Sequence, residues 1–164
     1  MKGQIYFDHA ATTAVKPEVI AKMLPYFAVD YANPSSVYSI SRTARHAVEE
    51  SRQTIAQCIG AEPDEIFFTS GGTEADNWAI RGTAYANKKK GNHIITTEFE
   101  HHAVLHTCKQ LEKEGFEVTY IKPDSEGIIH TADIEKAITD KTILITVMFA
   151  NNEIGTIQPI YEIG

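Results

Sequence analysis

Cysteine is scarce in this 164-residue sequence: Cys58 and Cys108 are the whole complement. Two thiols so far apart exclude a disulfide framework and fit a reducing compartment. No apolar run approaches the ~18–20 residues of a membrane-spanning helix. The first thirty residues lack the basic, apolar and small-residue order of a secretory signal. Positive charge is also short, with 15 Lys and Arg against 22 Asp and Glu and a net charge of −7. That balance excludes nucleic acid or an anionic membrane as a main partner, because both require a basic face. There is no internal repeat and no low-complexity tract. The one run of like charge, Lys88-Lys89-Lys90 before Gly91, reads as a solvated helix end. What remains is 43% hydrophobic and 23% charged, the composition of a globular chain with one domain's worth of residues. The expectation is a soluble, cytoplasmic protein.

Hydrophobic periodicity alternates between two types along the chain. Ile5-Tyr6-Phe7 is a short apolar start. Pro17 suits a first helical turn, and Val19, Ile20, Met23, Leu24 and Phe27 form a helical face that Pro25 kinks or ends. Asn33-Pro34-Ser35-Ser36 is turn chemistry. Apolar positions from Ile40 to Ile59 then recur at three and four, closed by Gly60. Strands are predicted at 65–69, 93–97, 116–121 and 142–149, the last one buried. Helices are predicted after Gly71-Gly72, from Ala103 to Gly115, and over 131–138. Strands separated by helices imply crossovers and a mainly parallel sheet with helices on both faces, an α/β fold. Ligands of such sheets bind beyond the carboxyl ends of the strands, which directs attention to the segments after Thr69, Thr97 and Phe149. Pro159 to Ile163 reads as the first turn of a further helix. One turn is not stable alone, so the sequence reads as interrupted at Gly164.

Each of these loops carries two readings. In Thr69-Ser70-Gly71-Gly72-Thr73-Glu74, the glycines allow close approach of an oxyanion to free helix-start amides, with Thr73 adding a hydroxyl. The same residues also suit a plain turn in which Thr73 caps the helix and Asp76 sits at its third position. It is not a nucleotide P-loop, since the Gly-Lys-Ser/Thr ending is absent. In Glu98-Phe99-Glu100-His101-His102, a histidine could stack on a planar ligand or move protons near neutral pH, or simply cap a helix. His102 and His106 have metal-ligand spacing, but no third ligand completes a set and no metal is expected. Asn151-Asn152 after the last strand fit either a turn or amide donors at the rim. Three polar loops on one rim of one sheet weigh more together than singly.

Read together, these segments resemble the cysteine desulfurases within the class V group of pyridoxal-phosphate enzymes. The matching stretches are Tyr6 to Thr13, Asn33 to Ser36, Thr69 to Ala75, Glu100 to Leu105 and Asn151 to Thr156, in the family's order and across essentially the whole chain. The resemblance implies the incomplete large domain of a pyridoxal-phosphate-dependent transferase fold. Residues 1–15 would be an N-terminal segment and 16–164 a partial cofactor-binding domain, with the rest of that domain and a small C-terminal domain lying outside this chain. It implies that Gly72 and Thr73 hold the phosphate of pyridoxal 5'-phosphate. His101 stacks on the pyridine ring and assists proton transfer. Asn152, with Asn151 as the neighbouring alternative, contacts the ring hydroxyl. The implied reaction takes L-cysteine to L-alanine and leaves persulfide sulfur on the enzyme for acceptors such as iron–sulfur scaffold proteins. The implied assembly is a homodimer.

The lysine that attaches the cofactor belongs, in that family, to a Ser-x-His-Lys-type motif, and none of the eleven lysines here stands in that context. The aspartate facing the pyridine nitrogen and the sulfur-accepting cysteine are likewise unmatched. Cys58 and Cys108 fall at largely apolar helical spacings, where cysteine usually packs. The chain is therefore expected to be inactive by itself. Two other readings keep the same observations: another class V enzyme, such as a selenocysteine lyase or an aminotransferase, and a non-catalytic association module built on an exposed strand edge.

Overall fold

The computed structural model describes Gly3 and residues 5–164; Met1, Lys2 and Gln4, within the expected 1–15 segment, lie outside the described residues. The chain forms two compact units, Met1–Phe68 and Thr69–Gly164. The first holds α1 (Pro17–Met23), α2 (Pro25–Ala28) and α3 (Arg42–Ile59), with short 3₁₀ turns at Ser39–Ser41 and Pro63–Glu65. Proline opens both α1 and α2, as its fixed φ and missing N–H favour. Gly60 ends α3 at φ 69°, a left-handed angle that only glycine adopts at little cost. Asn33 Oδ1 accepts from Ser35 N at 2.9 Å, and Arg45 on α3 donates to Pro34 O and Ser36 O at 2.8 and 2.7 Å. The predicted turn is thus closed on itself and pinned to the helix. Val19, Ile20, Met23, Leu24 and Phe27 are exposed within this unit, so the face expected from their spacing forms no buried core there.

The second unit contains the sheet. Its elements are α4 (Gly72–Asn87), β1 (His93–Thr97), α5 (His102–Lys113), β2 (Glu117–Ile121), α6 (Thr131–Ala137), β3 (Thr142–Ile145) and α7 (Ile160–Ile163). The strands are parallel in the order β2-β1-β3, with α5 and α6 in the two connections. All five residues of β1 are buried, which explains a run without apolar–polar alternation. Ile94 packs with Ile80, Ala84, Val104, Cys108, Leu111 and Phe116 of the α4/α5 side. Ile95 packs with Ile121, Ile129 and Ile134 on the other. Helices on both faces therefore follow from the two-sided burial of one strand.

Two expected strands differ from the observed ones. The β-rich run at 65–69 is not part of the sheet among the described residues. Glu65 closes a 3₁₀ turn, and Ile66 to Phe68 belong to the first unit while the sheet lies wholly in the second. The run at 142–149 forms a strand only to Ile145 and is half-buried rather than buried. Among the described residues β3 is an edge strand, paired with β1 on one side alone. Its remaining side opens on a hollow of about 550 Å³ lined by Ile138, Leu144, Val147, Ile160 and Ile163. The pairing direction persists one residue further, through Thr146 N to Ile95 O at 2.9 Å.

Close backbone approach fixes Gly91. A Cβ there would lie 2.2 Å from Lys141 O, against the same carbonyl that accepts from His93 N at 2.9 Å. Gly91→Ala should destabilise the protein by about 1–3 kcal/mol, the usual cost of forcing extra volume against packed backbone. Denaturant unfolding checks this, and an unchanged midpoint would contradict the close approach.

Candidate functional site

The glycine turn leads directly into α4, with Gly71 at the N-cap and no side-chain capping bond. The backbone ladder begins at Ala75 N to Gly71 O, 3.1 Å, so the amides of Gly72, Thr73 and Glu74 precede it. An added Cβ at Gly71 or Gly72 would meet no atom within 4 Å; the space beside the helix start is open. Thr73 lies inside the helix, so the reading in which it caps α4 is corrected. Glu74 instead reaches back, accepting from Ser70 N at 2.6 Å and Ser70 Oγ at 2.7 Å. Those bonds, the backbone one first, hold its carboxyl below the usual range.

His101 is the N-cap of α5, and its Nδ1 accepts from Ala103 N at 3.1 Å. An accepting Nδ1 leaves the ring proton on Nε2, so the exposed imidazole is held in one orientation and one tautomer. Thr73 and His101 line the same hollow of about 300 Å³, together with Asn77, Arg81, His102 and His106. Asn77 links the two helices there. It donates from Nδ2 to Thr73 O at 2.9 Å and accepts at Oδ1 from buried Thr107 Oγ1 at 2.7 Å. The His102 and His106 rings stack at 5.4 Å, and no group of three or more potential metal ligands occurs among the described residues.

The paired asparagines divide the two roles between them. Asn151 is buried and fully engaged. Its Nδ2 donates to Phe99 O at 3.0 Å, and its Oδ1 accepts from Glu153 N and Ile154 N at 2.9 and 3.1 Å. Asn152 is exposed, and its Nδ2 donates to Glu153 Oε1 at 3.1 Å. The turn reading therefore belongs to Asn151, and the solvent-exposed amide is that of Asn152. Gly72 and Asn152 do not line the hollow shared by Thr73 and His101. Gly72 directly precedes Thr73, while Asn152 sits one residue from the Asn151–Phe99 bond, two residues before His101.

Glu100 was not singled out by sequence reasoning. It is 6% exposed, and its Oε1 accepts from Met148 N at 2.7 Å and Thr97 Oγ1 at 3.1 Å. Burial raises its pKa, only partly offset by those two bonds. Asn77 was missed too, although its spacing of four from Thr73 on a helix was a signal. Cys108 is fully buried and its thiol is pushed up to about 11, burial first, which suits packing and not nucleophilic attack. Cys58 is exposed, unlike the packed residue its spacing suggested.

A family model described as aminotransferase class-V matches residues 5–164. The chain is 62% identical over all of its length to the cysteine desulfurase IscS of Clostridium botulinum (strain Hall), of which it covers 41%. Among solved structures, one described as a NifS-like protein superposes with a TM-score of 0.94 at 40% identity, covering 97% of this chain and 44% of that one. Another, described as SspA in complex with cysteine, gives 0.92 at 43% identity, covering 96% and 46%. The chain thus spans less than half the length of the relatives it matches, and the match is to their N-terminal part. It carries the parallel sheet and helices of part of the pyridoxal-phosphate transferase fold.

A carboxyl whose pKa is raised on folding stabilises the protein below its unfolded value and loses that contribution as pH rises through the folded one. Glu100→Gln keeps an acceptor without the charge. Its stability relative to the parent should therefore improve between pH 4 and pH 7, seen as a urea midpoint that rises against the parent's over that interval. Parallel urea titrations at both pH values check this; a gap independent of pH would contradict the burial of an ionising Glu100.

Proposed function

The chain belongs to the class-V aminotransferase family, and on that premise we propose that it is the N-terminal part of a pyridoxal-phosphate-dependent cysteine desulfurase. The whole protein would take L-cysteine to L-alanine and hold the sulfur as a persulfide for an acceptor such as an iron–sulfur scaffold protein. It would act as a homodimer in the cytoplasm. The observation that carries the reading is that Thr73 and His101, from different helix starts, line one hollow, while Asn152 sits on a loop bonded to the His101 loop. The relatives' names favour this substrate over the other class V reactions.

The residues present fit the cofactor. The ground beside Gly71 and Gly72 is open, and free helix-start amides suit a phosphate dianion. Gly72 and Thr73 would hold that phosphate, with the Thr73 hydroxyl as a further donor. His101 offers a flat ring for stacking, its Nδ1 fixed by Ala103 N and its Nε2 left to move a proton. Asn152 offers an amide to the ring hydroxyl. When bound, pyridoxal phosphate supplies an electron sink; the chain's own share is to orient it and to transfer protons. Cys108 is too buried to accept sulfur, and neither cysteine matches the family's sulfur-accepting position. That cysteine and the cofactor-binding lysine would therefore come from residues beyond this chain.

In the full-length protein, Thr73→Ala should weaken cofactor binding by about ten- to a hundredfold, the worth of a hydrogen bond to a charged group. His101→Ala should lower kcat by ~10²–10⁴, the range of lost acid–base assistance, with a smaller effect on cofactor affinity. Absorbance titration with pyridoxal phosphate and an alanine-release assay check both. The 164-residue chain alone, given cofactor and L-cysteine, should release neither alanine nor sulfide. Turnover by that chain would refute the assignment of both covalent residues to the rest of the protein.

A further inference from the structure

The segment after β1 and the loop after β3 are fastened to each other reciprocally. Glu100, from the β1 side, accepts from the backbone of Met148 at 2.7 Å; Asn151, from the β3 side, donates to the backbone of Phe99 at 3.0 Å. Each segment lends one side chain to the other's main chain. Both side chains belong to buried residues, 6% exposed in each case, so water competes weakly for either bond. A single bond would leave a hinge, whereas two bonds at different points remove that freedom. The β3 loop is also closed within itself, by Asn151 N to Thr156 O and Gly155 N to Asn151 O, each 2.9 Å. It therefore moves as one piece or not at all. His101 follows Glu100 directly, and Asn152 follows Asn151 directly.

We infer that Glu100 and Asn151 are positioning residues, a two-way brace that sets the spacing between the His101 imidazole and the Asn152 amide. This rests on the reading that Asn152 touches the cofactor. A carboxylate is a poor choice for stability alone at a buried site. Here its two bonds go to Met148 N and to Thr97 Oγ1 at the end of β1, so it references both loops to the rigid central strand. Small displacements of a binding group lower affinity and rate far more than they lower folding stability.

The test is a double-mutant cycle on the full-length protein, reading the dissociation constant for pyridoxal phosphate by absorbance and the unfolding midpoint in parallel. Glu100→Ala should weaken cofactor binding about tenfold in the parent, yet less than about twofold when Asn152→Ala is already present, the signature of two residues acting through one contact. Glu100→Gln, which still accepts, should restore affinity to within about twofold of the parent. Asn151→Asp keeps the acceptor for Glu153 N and Ile154 N and loses the Nδ2 bonds to Phe99 O, which joins the two segments, and to Met148 Sδ within its own loop. It should behave like Glu100→Ala and decides the matter if that variant does not fold. Effects of Glu100 and Asn152 that multiply in full would overturn the brace while leaving the Asn152 reading intact. An Asn152→Ala variant with parental affinity would remove the Asn152 reading, and the brace with it.

Discussion

The two-sided burial of β1 is the constraint from which the rest follows. A strand with sheet neighbours on both edges and helices on both faces has no water to satisfy its polar groups. His93 meets this by lying 2.7 Å from Thr142 Oγ1 with Nδ1 and 2.9 Å from Thr119 Oγ1 with Nε2, tying β1 to both flanking strands. At the other end Thr97 meets it through Glu100, which in turn reaches Met148. Thr96 Oγ1 is the exception among the described residues of the sheet, buried without a partner.

The candidate site grows from that satisfied strand. Because β1 is paired on both edges and packed on both faces, the residues that leave its carboxyl end begin from a well-held point. Within four residues the chain turns into α5, with His101 as its cap. The α4 start is held to α5 through Asn77 and Thr107, and the β3 loop is held to the β1 end through Glu100 and Asn151. Exposed side chains thus sit on backbone that buried side chains have fixed. Rigid support under a solvent-facing group is what a binding site needs, since affinity lost to ordering is then small.

Much of this was legible in the residues and some was not. Glycine at 71 and 72 before a periodic run marked the α4 start, and His93 to Thr97 read as a strand with the observed bounds, although its complete burial shows only in the fold. The turn at Asn33 to Ser36 was legible because asparagine and proline act locally. The extent of β3 was not, because an edge strand and a central strand share the same apolar sequence and differ only in neighbours. The run at 65–69 has strand-forming residues, but strand formation depends on a partner that composition cannot supply. Asn151 and Asn152 were equivalent as letters; only burial separates the structural one from the exposed one. Glu100 was hidden for the same reason, since a glutamate near a helix start reads as surface until its bonds are seen.

On the proposed reading Gly72, Thr73, His101 and Asn152 surround a single pyridoxal phosphate. The most direct measurement is a crystal structure of the full-length protein with that cofactor bound. The expected structure has the phosphate at the Gly72–Thr73 amides, the His101 ring parallel to the pyridine, and Asn152 within hydrogen-bond reach of the ring hydroxyl. A cofactor bound elsewhere, or one that leaves His101 and Asn152 out of contact, would contradict it.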